Sequence, residues 1–386
     1  MTRKDLCIIV IPLNKGTLAR RAFDLAEALS ELRIEVKIFI LYNRRFSDFE
    51  FKDVAYGVSS GIKIIDYFLN ILKLSFLKFR FLPSFTLSVV DSCSIVNVMA
   101  LGPGRRYGQF RAPIEQLIIW NNRAIWTKIS YNLFFKRLDK FLCVSKQVKD
   151  SIIVNIPNIP IRKLEVLYNY YDKKQIIAKS WHELSYDFSS WSNDYIILNV
   201  GRVEKIKCQE RILKSISLLS PELKRKIRLV VIGEANSEYI KELNKINTYE
   251  FRVEYMGNVL NPYPFYKNAD LFILSSVQEG LPGSLIEALF LGLPSIATNC
   301  SQGVWEIFDV ASEYRSDLSI MHPVGAGYII PNNMELMVDK DVVSEDVVID
   351  QMAKAIGASI EREVESFNFH CVNKFTDKSI FNNFLN

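Results

Sequence analysis

Two glutamates, Glu279 and Glu287, stand eight positions apart and are the residues best placed to do chemistry in this chain of 386 residues. The short apolar run Leu271–Leu274 before them predicts a buried strand, and the pattern from Ser284 to Leu291 predicts a helix. Glu279 is therefore expected on the loop at a strand's carboxyl end, and Glu287 in the next helix. The backbone N–H groups at the helix start attract phosphate. One carboxylate can bind a sugar and the other a ribose, with a diphosphate between them. A solvated helix face is the other interpretation.

A second candidate pair is Arg202 and Lys207, five positions apart. They follow the apolar run Tyr195–Val200, which predicts a strand, and precede a helical pattern that begins near Gln209. Positive charges at a helix start oppose the helix dipole, so the pair indicates an anion nearby. Two exposed basic residues without a ligand are the alternative.

Strands and helices alternate along both halves of the chain, which predicts α/β domains with doubly wound parallel sheets and ligands at the carboxyl ends of the strands. The first half begins with the strand Leu6–Leu13, a helix and a second strand, Val36–Leu41. The strands predicted in the second half are Tyr195–Val200, Leu229–Ile232, Val253–Met256, Leu271–Leu274 and Pro294–Thr298.

The segment around the two glutamates resembles the E-x7-E motif of the retaining glycosyltransferases of family four. The resemblance rests on Glu279-Gly280-Leu281-Pro282, Glu287-Ala288-Leu289, Gly292–Thr298 and Asn199–Lys207. It implies the GT-B fold, in which two Rossmann-like doubly wound domains face each other across a cleft. It also implies a sugar donor linked to a nucleotide diphosphate, with UDP or GDP expected.

The resemblance assigns roles to individual residues. Arg202, Lys207 and Glu279 are the predicted catalytic residues, because charge-assisted contacts stabilise the departing diphosphate. The predicted donor-binding residues are Gly16, Gly201, Val259, Gly280, Leu281, Gly283, Ser284 and Glu287. No metal and no cofactor are expected, because the basic pair takes the place of Mg²⁺ and no suitable D-x-D cluster is present.

Two departures from the family affect the predicted site. Relatives carry a His near the donor sugar, where this chain has Asn121 and Asn122, which are predicted to bind a sugar hydroxyl instead. The first strand-to-helix turn has Lys15-Gly16 in place of paired glycines, so Gly16 is either a donor-loop residue or a turn residue. A dinucleotide fingerprint would need G-x-G-x-x-G at this turn, which disfavours a nicotinamide-dependent oxidoreductase.

The two halves of the chain differ in net charge. Residues 1–177 contain 28 Lys and Arg against 15 Asp and Glu, a net charge of +13, whereas residues 178–386 have a net charge of −8. We predict an acceptor-binding domain at 1–177, a donor-binding domain at 194–370, and a terminal helix at 371–386 that packs back on the first domain. A linker is expected at 178–194, and residues 308–326 resemble an insertion.

The basic half points to an anionic partner. The sequence has none of the motifs of nucleic-acid binding, so an anionic membrane surface or an anionic acceptor is favoured. A second candidate for membrane contact is the segment Ile64–Leu82, which is rich in Phe; the alternative is a helix buried against the N-terminal sheet. The scattered cysteines 7, 93, 143, 208, 300 and 371 indicate reduced thiols, and neither a signal peptide nor a membrane span is predicted.

The sequence therefore predicts a retaining, metal-independent hexosyltransferase. It is expected to act at the cytoplasmic face of the membrane, on a glycan or lipid-linked acceptor in the assembly of capsule, lipopolysaccharide or a similar surface polysaccharide. A nucleotide-sugar epimerase of the same fold and a non-catalytic partner subunit are the alternatives.

Overall fold

The computed structural model describes residues 5–13, 16–42, 53–115, 133–156, 159–182, 186–246, 251–333, 343–361, 367–377 and 381. The chain divides into two compact units. The first comprises Met1–Tyr171 together with Phe375–Asn386, and the second comprises Asp172–Lys374. The chain thus passes from the first unit into the second and returns to the first at its end.

The first unit is built on a parallel sheet of strand order β3-β2-β1-β4-β5-β6-β7. Its strands are β1 (Leu6–Leu13), β2 (Glu35–Tyr42), β3 (Val54–Tyr56), β4 (Phe85–Val89), β5 (Arg105–Phe110), β6 (Lys140–Cys143) and β7 (Leu164–Val166). Its described helices are α1 (Gly16–Glu31), α2 (Lys63–Phe81), α3 (Asp91–Met99) and α4 (Lys146–Asn155). Near-continuous apolar runs such as β1 are buried on both faces, as expected for a sheet covered by helices.

The second unit contains a sheet of order β10-β9-β8-β11-β12-β14-β13, parallel except for the antiparallel pair β13 and β14. Its strands are β8 (Tyr195–Val200), β9 (Ile227–Ile232), β10 (Arg252–Gly257), β11 (Leu271–Leu274), β12 (Ser295–Thr298), β13 (His322–Val324) and β14 (Gly327–Ile330). Its described helices are α5 (Lys173–Ser180), α6 (Gln209–Ser217), α7 (Pro221–Lys226), α8 (Ser237–Ile246), α9 (Tyr263–Lys267), α10 (Gly283–Phe290), α11 (Gln302–Ile307) and α12 (Glu345–Glu361). The predicted α/β class with two doubly wound, Rossmann-like sheets is confirmed.

The division between the units falls at residues 171 and 172, not in the segment 178–194 that was interpreted as a linker. The segment belongs to the second unit because its side chains are engaged there. Trp191 is buried and its ring contacts Phe265, and Asp194 forms an ion pair with Arg228. The Ser, Asn and Asp residues that suggested a linker therefore belong to a packed connection.

The terminal segment is part of the first unit's core. The backbone N–H of Tyr171 donates to the carbonyl of Phe375 at 2.9 Å, and the buried Phe381 packs among the core residues behind β1. The described part of this segment, His370–Thr376, is a 3₁₀ helix. The stretch 308–326, interpreted as an insertion, contains β13, which pairs with β14 at the sheet edge.

A buried arginine, Arg211, links two helices and a loop of the second unit through hydrogen bonds. The Arg211 guanidinium on α6 contacts both carboxylate oxygens of Glu345 on α12, at 2.7 and 2.8 Å. It also donates to Asn332 Oδ1 at 2.7 Å and lies 3.3 Å from the carbonyl of Ser275. Arg211 is 1% exposed, so this charge depends on its partners. The network links both helices to the loop that follows β11.

We expect Glu345→Ala to lower the free energy of unfolding by about 3 kcal/mol, because it leaves Arg211 buried without its carboxylate. The matched control on α12 is Asp350→Ala, which removes the partner of an exposed ion pair with Lys354 and should cost less than about 1 kcal/mol. The midpoint of urea unfolding, followed by tryptophan fluorescence, measures both. Equal losses in the two variants would contradict the role of the Arg211 network.

Candidate active site

Two loops are brought together because their strands are neighbours. β8 pairs in parallel with β11, so the segments after their carboxyl ends lie side by side. The backbone N–H of Val277 donates to the carbonyl of Ile206 at 3.0 Å, and the Ser275 hydroxyl donates to the carbonyl of Lys207 at 2.6 Å. The Arg202–Lys207 loop is therefore joined by hydrogen bonds to the loop that carries Glu279, within the second unit.

Lys207 and Glu279 form an ion pair at the junction of these loops. The Ser276 hydroxyl also donates to Glu279 Oε1 at 2.9 Å. Both charged side chains are 19% exposed, so the pair is partly screened by solvent and remains accessible to a ligand. The structure thus joins one predicted phosphate-binding cation to the predicted sugar-binding carboxylate.

Arg202 lies on the same loop in a more open position. Its guanidinium contacts the two Glu204 oxygens at 2.9 and 2.8 Å, and its side chain is 66% exposed. The loop backbone is held by Gln209, whose amide donates to the Arg202 carbonyl at 3.0 Å. Asn199 anchors the end of β8 by donating to the carbonyl of Ile273 at 2.8 Å. The backbone is fixed while the guanidinium can turn toward a ligand.

Glu287 lies in α10 and is 8% exposed. Its Oε1 is 3.5 Å from the hydroxyl of the buried Tyr263. Glu287 is the fifth residue of this helix, one turn beyond the helix start. Gly283 begins the helix and Ser284 follows it, and both residues are half-buried.

At two glycines, Gly303 and Gly233, another stretch of backbone lies so close that a side chain would not fit. The sequence analysis did not identify either residue. A Cβ on Gly303, in α11, would lie 2.2 Å from the carbonyl oxygen of Gly280, so α11 can pack on the Glu279 loop only with glycine there. A Cβ on Gly233 would lie 1.9 Å from the carbonyl oxygen of Gly201. Gly233 follows β9 and supports the Arg202 loop. A glycine directly after a predicted strand is the signal that identifies such a position.

Of the other predicted site residues, Gly201 and Leu281 lie on the two loops of the site, and Val259 and Gly16 lie elsewhere. Gly201 directly follows β8, Leu281 is buried on the Glu279 loop, and Val259 lies just after β10. Gly16 begins α1 in the first unit with a φ of 77°, a value that glycine adopts readily. Asn121 and Asn122 lie outside the described residues.

Cys300 lies close enough to the ion pair for both charges to act on its thiol. Burial raises the pKa of Cys300 to about 12, and the Glu279 carboxylate acts in the same direction. The thiol is therefore protonated at neutral pH and is not a nucleophile. Among the residues that the structure describes, no group of three or more His, Cys, Asp and Glu side chains is placed to hold a metal ion.

The second unit matches a known family. Residues 186–333 match the family model described as glycosyl transferases group 1. In this segment the chain is similar to group 1 glycosyl transferases. The match confirms the family resemblance that the E-x7-E segment suggested. It contains all four of the charged residues Arg202, Lys207, Glu279 and Glu287.

Curated relatives include enzymes of polysaccharide assembly. The capsular polysaccharide biosynthesis glycosyltransferase CapH of Staphylococcus aureus is 27% identical over 237 residues, which are 60% of this chain and 64% of CapH. An alpha-1,4-N-acetyl-D-galactosaminyltransferase of Campylobacter jejuni, named for a glycan on PP-undecaprenol, is 29% identical over 125 residues, 32% of this chain and 34% of that protein. The chain spans less than two thirds of these relatives.

Solved structures match over nearly the whole chain. The crystal structure of Anabaena HepE in complex with UDP and glucose has a TM-score of 0.66 at 14% identity, covering 96% of this chain and 93% of HepE. This likeness shows the fold, which is GT-B.

We expect Gly233→Ala to destabilise the second unit by more than about 2 kcal/mol, because the added methyl group must displace the Gly201 backbone. Gly292→Ala is the control, since Gly292 has a φ of 72° but open space around its Cβ position. Its cost should be the backbone strain alone, about 1–2 kcal/mol. Thermal unfolding of both variants measures the difference, and a Gly233→Ala variant more stable than Gly292→Ala would contradict the close approach.

Proposed function

We propose that this chain is a retaining glycosyltransferase that moves a hexose-type sugar from a UDP- or GDP-linked donor to a glycan or lipid-linked acceptor. The observation that carries the proposal is the ion pair of Lys207 with Glu279 beside Arg202, inside the segment that is similar to group 1 glycosyl transferases. The capsular enzyme and the PP-undecaprenol enzyme among the relatives support a role in surface polysaccharide assembly.

The proposed reaction is a substitution at the anomeric carbon with retained configuration. The bond from this carbon to the donor phosphate breaks, and the acceptor oxygen forms the new bond on the same face. The leaving phosphate oxygen takes the acceptor proton, so no protein base is required. Lys207 and Arg202 stabilise the negative charge that develops on the diphosphate.

The two carboxylates have different proposed roles. Glu279 holds the Lys207 ammonium near the diphosphate position and binds hydroxyls of the donor sugar. Glu287, buried in α10, binds the ribose of the nucleotide. The diphosphate lies between them at the start of α10, where backbone N–H groups are available for an anion.

We also propose that the transfer requires no metal ion. The leaving diphosphate carries roughly two negative charges, and Arg202 and Lys207 supply two positive charges without a divalent cation. Lys207 has a carboxylate partner at hydrogen-bond distance and Arg202 has Glu204. Donor binding would exchange these contacts for phosphate oxygens, so the carboxylates keep the cations oriented before the donor arrives.

The test compares Arg202→Ala and Lys207→Ala with Lys205→Ala, all on one loop. Lys205 is 76% exposed and pairs with Glu242, which makes it the matched control. Donor turnover, measured with UDP- and GDP-linked sugars in excess EDTA, should fall by about 10²–10³ in the first two variants. The control should retain near-normal turnover.

Wild-type activity that disappears in EDTA and returns with Mg²⁺ or Mn²⁺ would contradict the metal-independent mechanism. Normal turnover in both Arg202→Ala and Lys207→Ala would contradict the assigned site. Epimerised donor formed in the absence of any acceptor would identify an epimerase instead.

The proposed place of action is the cytoplasmic face of an anionic membrane, reached through the first unit. One face of α2 packs on the N-terminal sheet, as the alternative of a buried helix predicts, whereas Phe68, Phe76 and Phe79 are exposed. Its buried face carries Leu74 and Leu77, and its polar residues Asp66 and Asn70 are also buried. The Ser60 hydroxyl donates to Asp66 at 2.7 Å, and the Val58 N–H donates to Asn70 at 2.8 Å.

The outer face of α2 is apolar. Its exposed large side chains follow one another at helical spacing and are Ile64, Ile65, Phe68, Leu72, Phe76 and Phe79. Lys63 and Arg80 are exposed at the two ends. An exposed apolar stripe with basic residues at its ends is typical of helices that lie in the membrane interface. No described helix is long and apolar enough to cross a bilayer.

Flotation with liposomes tests this attachment. The wild-type protein should float with vesicles that contain anionic phosphatidylserine at low salt, and less at high salt, because each Lys or Arg near the surface contributes about 1 kcal/mol. Phe68→Ser/Phe76→Ser should reduce binding by at least about 10-fold. Leu260→Ser is the control, since Leu260 is 79% exposed in the second unit. Equal flotation of all three proteins, or none at low salt, would contradict the proposal.

A further inference from the structure

Two arginines lie together beyond the carboxyl ends of the first unit's strands, apart from every residue assigned above. Arg111 directly follows β5, and Arg21 lies in the second turn of α1, which follows β1. The Arg21 guanidinium stacks over the buried Tyr171 ring at 4.1 Å. Tyr171 and Asn169 lie on the segment after β7. Three strand ends thus contribute to one basic cluster.

Arg111 is held by neutral partners. Its Nη1 donates to Asn169 Oδ1 at 3.0 Å and to Gln109 Oε1 at 3.2 Å. Both amide side chains are buried, 5% exposed each. Amide oxygens orient a guanidinium but do not balance its charge. The planar fork of Arg111 is therefore fixed in direction with its positive charge still available to an anion.

The charges of the two arginines are balanced differently. Arg21 pairs with Asp24 at 3.0 Å. Within the described residues, Arg111 has no carboxylate at ion-pair distance. The closest acidic residue along the chain, Glu115, instead accepts from Ser151 and Asn155. The next residues, 116–132, contain no Asp or Glu in their sequence.

A partly buried charge without a counter-charge is costly, so a site of this kind indicates a ligand that completes it. Burial and the nearby Arg21 charge lower the pKa of Arg111 to about 10, which leaves the guanidinium charged at neutral pH. Carboxyl ends of parallel strands are also where ligands bind in this class of sheet.

We propose that Arg111, positioned by Asn169 and Gln109 and reinforced by Arg21, binds a phosphate group of the acceptor. This proposal rests on the proposed transferase function and specifies the acceptor as a molecule that carries a phosphate group. Arg111 is the residue that selects this acceptor, and the guanidinium fork makes two parallel hydrogen bonds to its phosphate oxygens.

The test uses inorganic pyrophosphate as the probe, with the full chain and saturating UDP to occupy the donor site. Calorimetry should show pyrophosphate binding to the wild-type protein. Arg111→Gln should weaken it by at least about 10-fold, because the amide removes the charge. Arg105→Gln, an exposed arginine at the other end of β5, is the control and should bind as the wild type does.

Thermal unfolding with and without pyrophosphate separates binding from structure. Arg111→Gln leaves the buried Asn169 and Gln109 oxygens without their donor, so a lower Tm without ligand is expected whether or not the site binds an anion. Saturating pyrophosphate should raise the Tm of the wild-type protein and not that of Arg111→Gln, and an equal rise in both would overturn the proposal. If Arg111→Gln fails to fold, Arg111→Lys keeps the charge but loses the fork, and wild-type pyrophosphate affinity in that variant would also overturn it.

Two further outcomes are decisive. Unchanged pyrophosphate affinity in Arg111→Gln contradicts the site. Displacement of pyrophosphate by an equal concentration of glucuronate would show that the site takes a sugar carboxylate and would overturn the assignment to phosphate. Calorimetry with UDP tests the donor site in the second unit. A wild-type protein that does not bind UDP would contradict the proposed transferase function, whatever the result for Arg111.

Discussion

Parallel pairing of β8 with β11 is the constraint on which the candidate active site depends. Strands that run in one direction release their loops at one edge, so residues far apart in sequence meet there. Lys207 and Glu279 are 72 positions apart and still form an ion pair, and the backbone contact of Val277 with Ile206 fixes the distance between their loops. The pairing of these two strands therefore brings the loops together, and the side chains on the loops then form the site.

Charge balance in the second unit follows from this arrangement. Each cation at the site has a carboxylate partner, Lys207 with Glu279 and Arg202 with Glu204. Arg211, deeper in the same unit, has Glu345. The buried pair supports the loop backbone, whereas the more exposed Arg202–Glu204 pair can exchange partners at small cost, because solvent-exposed ion pairs contribute little to stability. The loop backbone is therefore held in place, while a side chain a few residues away can exchange its ion-pair partner.

The fold and the loops that bear the site were predictable from sequence, because periodicity and strand-ending glycines report them directly. β1, β8 and β11 have the predicted bounds, and Glu279 lies on the predicted loop. The pairing of Lys207 with Glu279 was not predictable, since it depends on which strands are neighbours. The sequence left open whether α2 is buried or exposed, because it does not show that Asp66 and Asn70 satisfy backbone groups of Val58 and Ser60 inside the fold. Local polarity could not reveal those partners.

The return of the last residues to the first unit has a consequence for biosynthesis. Phe375 and Phe381 complete packing around Tyr171 and the β1 core, yet they leave the ribosome after the whole second unit has been made. The first unit therefore stays incompletely packed while residues 172–374 are translated, and its core can be completed only after synthesis has passed the last residue of the second unit. Until then, the exposed α2 face is presented on a nascent chain whose own core is unfinished.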